Sequence, residues 1–203
     1  MRKYGLWALM ALTLASCKPK TETVETKDEA GNTIRYERRL NDYAKEGTYL
    51  KLNPNGKKLE EAQYKNDTLN GWRILYSENG DTSVAESYKN GAFDGAYRVF
   101  HENGKLKLVG QYANNEMMGV WKGYYDNGAL KEEVHFEKNQ ENGPFVEYHP
   151  NGKLKAEGTY LNGDFEHGEL KLYNENGELV RRMNCDKGVC KTVWSAEGDG
   201  ETD

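Results

Sequence analysis

Nothing in this 203-residue chain marks a reaction centre. There is no Gly-x-Ser-x-Gly elbow, no phosphate-cradling glycine loop, no His-Glu-x-x-His and no Cys-x-x-Cys pair. Carboxylates are plentiful, yet no pair stands out from the charged turns, so the desolvated carboxylate that general acid–base chemistry needs has no candidate. The expectation is a chain that is not an enzyme and holds no cofactor. A clustered basic face is missing too: the net charge is −5 and the lysines are dispersed, which excludes nucleic acid and electrostatic adhesion to anionic lipid. Only 36% of residues are hydrophobic and few are aliphatic, so a thick two-layer core is excluded. No apolar run is long enough to span a bilayer.

What the chain does have is a repeat. Gly47, Gly71, Gly95, Gly119, Gly143 and Gly168 are each followed nine residues later by the glycine of an Asn-Gly dipeptide, at Gly56, Gly80, Gly104, Gly128, Gly152 and Gly177. Successive starts are 24 residues apart and the last step is 25. A period in this range means one supersecondary unit stacked many times. Asn-Gly between strand-like segments predicts a two-residue type I′ hairpin turn, in which both residues take φ > 0. A second turn follows an aromatic in each unit, with Asn90-Gly91, Asn114-Asn115 or Asn162-Gly163 at its tip.

Alternation sets the faces. Leu106, Leu108, Gly110 and Tyr112 oppose Lys107, Val109 and Gln111, the signature of a half-buried strand. With two-residue turns, Tyr97, Trp121 and Phe145 share the face of Leu106, Leu108 and Tyr112. Tyr76, Phe100, Tyr124, Tyr148 and Tyr173 then form a ladder on the opposite face and are the candidate binding surface, although cross-strand pairing alone would also account for them. The expected fold is all-β: an elongated single-layer antiparallel meander of about six 24-residue hairpins. About twelve strands at roughly 4.8 Å would span on the order of 58 Å.

The ends differ in character. Arg2 and Lys3 precede a short apolar segment, Tyr4 to Leu14, as in a secretory leader. Leu14-Ala15-Ser16-Cys17 resembles a bacterial lipobox, which implies cleavage before Cys17 and acylation of that residue; an ordinary leader with a chance cysteine is the alternative. The partition expected is a signal peptide over 1–16, a flexible tether over 17–30, a degenerate N-terminal cap over 31–46, the repeat domain over 47–194 and a disordered acidic tail over 195–203. In an oxidising compartment Cys185 and Cys190 are a disulfide candidate that would staple the exposed end of the array. His101 and His149 hold the same repeat position four strands apart, roughly 19 Å, too far for one metal. With His135 and His167 they are expected at the surface, and no metal site is expected.

Gly119-Val-Trp-Lys-Gly-Tyr-Tyr-Asp-Asn-Gly-Ala-Leu-Lys-Glu-Glu-Val-His-Phe and the Gly143-Pro-Phe-Val-Glu-Tyr-His-Pro-Asn-Gly-Lys-Leu-Lys-Ala-Glu-Gly-Thr-Tyr unit resemble the bacterial variant of the MORN repeat (membrane occupation and recognition nexus), found in proteins often labelled YwqK-type antitoxins. The likeness covers about residues 47–190. It implies a hairpin array and a binding or scaffold role, and it carries no catalytic residues. The expected function is a non-catalytic lipoprotein of the bacterial cell envelope, held by its N-terminal lipid, with a protein partner. An immunity-type antitoxin and a glycan-binding module are the alternatives.

Overall fold

The computed structural model describes residues 20–198. The leader, Cys17 and positions 199–203 of the acidic tail lie outside the described residues.

Sixteen strands follow one another: β1 (Thr21–Lys27), β2 (Thr33–Arg39), β3 (Lys45–Leu52), β4 (Lys58–Lys65), β5 (Thr68–Tyr76), β6 (Thr82–Lys89), β7 (Ala92–Phe93), β8 (Gly95–Phe100), β9 (Leu106–Ala113), β10 (Glu116–Tyr124), β11 (Leu130–Glu137), β12 (Gln140–Tyr148), β13 (Leu154–Tyr160), β14 (Gly168–Tyr173), β15 (Leu179–Asp186) and β16 (Val189–Ser195). They form one open antiparallel sheet in chain order, with the short β7 off the main path beside β6. At about 4.8 Å per strand the sheet extends on the order of 70 Å before twist. This is the single-layer hairpin meander that the repeat predicts, with more strands than the twelve expected.

The turns carry out the hairpin chemistry at exchanged places. At Asn-Gly, the Asn53 N–H bonds Lys57 O at 2.8 Å and the Gly56 N–H bonds Asn53 O at 2.9 Å, which closes a three-residue loop. Only the glycine is left-handed there: Gly56 has φ +78° and Gly104 φ +78°, while Asn55 and Asn103 are not at positive φ. A type I turn followed by a left-handed glycine adds a bulge to the hairpin, and the register slips at Lys51/Leu52, Val99/Phe100 and Glu147/Tyr148. The two-residue type I′ geometry sits at the other turns, where both residues have positive φ: Asn66-Asp67, Asn90-Gly91, Asn114-Asn115, Lys138-Asn139 and Lys187-Gly188.

Side chains lace the repeats along both edges. Asp67 N–H donates to Lys45 O at 3.1 Å while its Oδ1 accepts from Lys45 N–H at 2.8 Å, and Asn139 repeats the pairing with Met117 at 3.3 and 2.7 Å. On the opposite edge the Asn103, Asn127 and Asn151 amides donate one repeat onward to Asp126 O, Pro150 O and Glu175 O at 2.7, 3.2 and 2.8 Å. At these three turns the Asn of Asn-Gly therefore serves as a bridge between hairpins, not as a left-handed turn residue. His101 and His149 are half-buried, and their Nε2 atoms sit 3.0 Å from Tyr124 O and Tyr173 O, in the same bridging role.

Two boundaries differ from expectation. Of the stretch read as a flexible tether, Thr21–Lys27 forms β1 and pairs residue for residue with β2. Thr21, Thr23, Val24 and Thr26 favour extended backbone, and Arg35 and Arg38 pair with Glu25 and Glu22 at 2.8 Å each. The cap is thus part of a full hairpin, turned at Gly31 by the same three-residue loop. At the other end the tail leaves later than 195, since Ala196 N–H bonds Val180 O at 3.0 Å. Cys185 and Cys190 stand directly opposite each other and are joined by a disulfide beside the Lys187-Gly188 turn. Cys185 thereby fills the slot that Tyr64, Tyr88, Tyr112, Phe136 and Tyr160 hold in the earlier hairpins.

Candidate binding faces

The hairpin register places one recurring pair at the centre of one face, called here the aromatic face. Tyr49 stands opposite Ala62, Tyr97 opposite Gly110, Trp121 opposite Val134 and Phe145 opposite Gly158. A ring beside an alanine, a glycine or, for Trp121, a valine lets a single layer bury its rings without a second sheet. Trp121 and Phe145 are each 3% exposed. A Cβ on Gly110 would come 2.1 Å from the Trp121 ring, and one on Gly158 would come 2.8 Å from Phe145. Val134, Phe145, Ala156, Leu170 and Cys185 form the buried cluster, so the core is a stripe toward the C-terminal half of this face.

In the hairpin of β5 and β6 the pair becomes Arg73 opposite Glu86. Glu86 is the one buried charged residue among the described residues, at 8% exposure. Arg73 donates from Nε to Glu60 at 2.7 Å and from Nη1 to Glu86 at 3.2 Å, and the Tyr88 hydroxyl donates to Glu86 at 3.0 Å. Burial, then the bond to Glu86, pushes the Tyr88 hydroxyl up to about 12. The repeat phase offered this pair to sequence reasoning: position 73 is where the neighbouring units carry Tyr49, Tyr97 and Trp121, and a cation there stands out once the units are aligned.

Farther along, the aromatic face turns acidic. A recess of about 240 Å³ is lined by Leu108, Met117, Trp121, Glu132, Phe136 and Glu141. The next, of about 370 Å³, includes Phe145, Glu147, Tyr160, Glu166 and Leu170. Phe145 and Tyr160 stack with centroids 4.1 Å apart. Burial first, and then the charges of Asp164 and Glu132, hold the Glu141 carboxyl above its ordinary range. Burial and the carboxylates of Glu141, Glu147, Glu166 and Glu132 likewise raise the Tyr160 hydroxyl. The Trp121 indole N–H is buried and has no hydrogen-bond partner among the described residues.

The opposite face carries the ladder that the sequence singles out. Tyr76, Phe100, Tyr124, Tyr148 and Tyr173 are all half-buried. At the two ends the hydroxyls are engaged: Tyr76 donates to Glu61 at 2.5 Å and Tyr173 to Glu157 at 2.9 Å. These carboxylates also bind Lys58 at 3.0 Å and Lys171 at 3.1 Å. Phe100, Tyr124 and Tyr148 lie between them. Among the described residues no group of three or more His, Cys, Asp or Glu side chains has the geometry to hold a metal ion.

The family model described as MORN repeat variant matches residues 45–66, 93–114, 119–138, 141–162 and 166–184, just over half of the chain. The unmatched interval between the first two segments contains the Arg73–Glu86 hairpin. No curated protein matches the chain.

Proposed function

The chain belongs to the MORN repeat variant family, whose repeats suggest a binding or scaffold module, and from that premise we propose that it is a non-catalytic lipoprotein of the bacterial cell envelope that holds a protein partner on its sheet. Acylated Cys17 would be the only membrane attachment, and the sheet would stand beyond it. The observation that carries the reading is a single sheet of sixteen strands among the described residues, with rows of aromatics at repeat spacing and shallow recesses. Such a surface supplies contact area and periodic anchor points. On the ladder face Tyr124 and Tyr148 are the residues placed to make contact, because the end hydroxyls of Tyr76 and Tyr173 are already committed within the chain.

The acidic half of the aromatic face favours a second reading, an immunity-type protein that neutralises a basic toxin. Affinity capture from cells separates these readings, comparing the native protein with Cys17→Ala and with Tyr124→Ser/Tyr148→Ser. An envelope protein retained by the native form and lost with the tyrosines supports the scaffold reading, and capture of a secreted basic effector supports the immunity reading. Retention of polysaccharide alone would instead indicate a glycan-binding module and would overturn both.

A further inference from the structure

Phe136 stands opposite Glu141 across β11 and β12, and Tyr160 bridges to Glu166 one repeat later. Both are thus an aromatic beside a carboxylate, at equivalent repeat positions on the aromatic face. Neither Glu141 nor Glu166 forms an ion pair among the described residues, and no hydrogen-bond donor reaches either side chain there. Glu132 joins them from the side: Gly123 lies opposite it without a side chain, so the carboxylate rests over bare backbone, where a Cβ would come 2.6 Å from Oε1. Among the described residues its ion-pair partner is Lys131 Nζ, 3.4 Å away and solvent-exposed. Beside these acids lies the Trp121 indole N–H, on a ring that is 3% exposed and lines the same recess, with no acceptor among the described residues.

Two carboxylates without ion pairs, Glu141 and Glu166, together with aromatic faces and an indole donor without an acceptor, call for a ligand that supplies organic cations and carbonyl oxygens together. A metal ion would leave the rings and the indole unused. The period selects among such ligands. One repeat is two strands, about 9.6 Å along the sheet. A polyproline II helix has three residues per turn at about 3.1 Å each, so every third side chain falls on one side at about 9.3 Å. Its carbonyls are free of internal hydrogen bonds, and aromatic grooves suit its preformed shape.

We propose that the aromatic face between β10 and β14 docks a basic segment of the partner protein in the polyproline II conformation, with cations three residues apart held by Glu141 and Glu166 and a backbone carbonyl accepting from the Trp121 indole. The site rests on the binding-module reading and gives its partner a chemistry. The segment crosses the strands instead of adding to a sheet edge. The half-buried Phe136 and Tyr160 receive its prolines.

The test uses the full chain and a proline-rich peptide with lysines at i and i+3, titrated by calorimetry. Controls are the same composition with lysines at i and i+4, a glutamate-for-lysine version, and tetramethylammonium. The expected result is saturable binding of the i,i+3 peptide, weakened about tenfold by either Glu141→Gln or Glu166→Gln and further by both. Trp121→Phe keeps an aromatic side chain while removing the indole N–H, and should weaken binding several-fold. Circular dichroism of each variant shows that the fold is kept. Equal binding of the two lysine spacings, binding unchanged in the double variant, no binding of the i,i+3 peptide, or equal affinity for tetramethylammonium would each overturn the proposal. A captured partner whose binding survives Glu141→Gln/Glu166→Gln would overturn the site while leaving the binding-module reading standing.

Discussion

Arg73 faces Glu86 across β5 and β6 at the position where neighbouring hairpins set an aromatic ring beside a small residue. A buried ion pair gains little over well-packed apolar side chains, because both groups lose their hydration, whereas removing one partner strands the other. Arg73 also holds Glu60 at 2.7 Å, so replacing the pair by its neighbour's, as Arg73→Tyr with Glu86→Gly, in a Glu60→Val background that leaves no carboxylate stranded should leave stability unchanged or higher. Arg73→Ala alone should destabilise by about 2–3 kcal/mol, less than a fully buried pair because the arginine is 28% exposed. Urea denaturation of the two variants checks this, and the prediction fails if the double replacement is the more damaging one.

Gly110 tests how tightly the aromatic stripe is packed. Its backbone is not at positive φ, so an alanine there meets no left-handed strain, and the atoms nearest the added methyl belong to the Trp121 ring, the first at 2.1 Å. Overpacking of this kind typically costs about 1–3 kcal/mol, and Gly110→Ala should fall at the upper end. The partner change Trp121→Val should relieve the clash, so the double variant is expected to lose less than the two single losses combined. Additive losses in thermal melts would show that the ring does not press on Gly110.

Much of this was legible in the sequence, and what was missed has definite causes. The 24-residue glycine spacing identifies the hairpins, and the alternation around Leu106–Tyr112 assigns the faces, because both are local properties of the strand. Turn type was misassigned at Asn55-Gly56: Asn-Gly suits a two-residue turn, but here Asn53 closes a wider loop by hydrogen bonding, which no dipeptide rule weighs. Strand β1 was missed because Thr21–Lys27 has no apolar stripe and is held by Arg35 and Arg38 from the next strand. The ladder residues were found, but the engagement of Tyr76 and Tyr173 by Glu61 and Glu157 depends on pairing across strands. The acidic recess pairs Phe136 with Glu141 through register, which sequence order does not display.

The Tyr76–Glu61 and Tyr173–Glu157 hydrogen bonds shape the pH profile at both ends. The tyrosine bond, with Lys58 or Lys171 assisting, holds each carboxyl below its usual 4.5. A lowered carboxyl stabilises the fold above that ordinary value, and the contribution is lost as pH falls through the lower folded value. Burial and the same bond push Tyr76 up from 10.0 to about 12. A raised hydroxyl contributes fully below pH 10 and loses that contribution between about 10 and 12. Denaturation midpoints should therefore stay level through neutral pH, falling below about pH 4.5 and above about pH 10. Tyr76→Phe should flatten part of both declines by a small amount, since the groups are partly solvated. An effect at one end only would mean that the hydroxyl and the carboxylate do not share the bond.

Lys138 offers a stabilising change that follows from the turn assignment. It occupies the first position of a type I′ turn at φ +51°, where the equivalent turns carry Asn90 at +50° and Asn114 at +51°. The left-handed conformation costs an ordinary residue roughly 1–2 kcal/mol, a penalty that asparagine largely escapes by local hydrogen bonding. Lys138→Asn should raise stability by about 0.5–1 kcal/mol, and Lys187→Asn, at φ +50°, should do the same. Asn103→Lys makes the opposite comparison: Asn103 is not at positive φ, so its loss arises from the missing amide bond to Asp126 O at 2.7 Å and from the lost bond that its Oδ1 accepts from the Lys105 N–H at 3.0 Å. Chemical denaturation of the three variants should therefore give two gains and one loss. If Lys138→Asn proves neutral while Asn103→Lys is tolerated, the left-handed strain and the inter-repeat bridge assigned to these turns are both wrong.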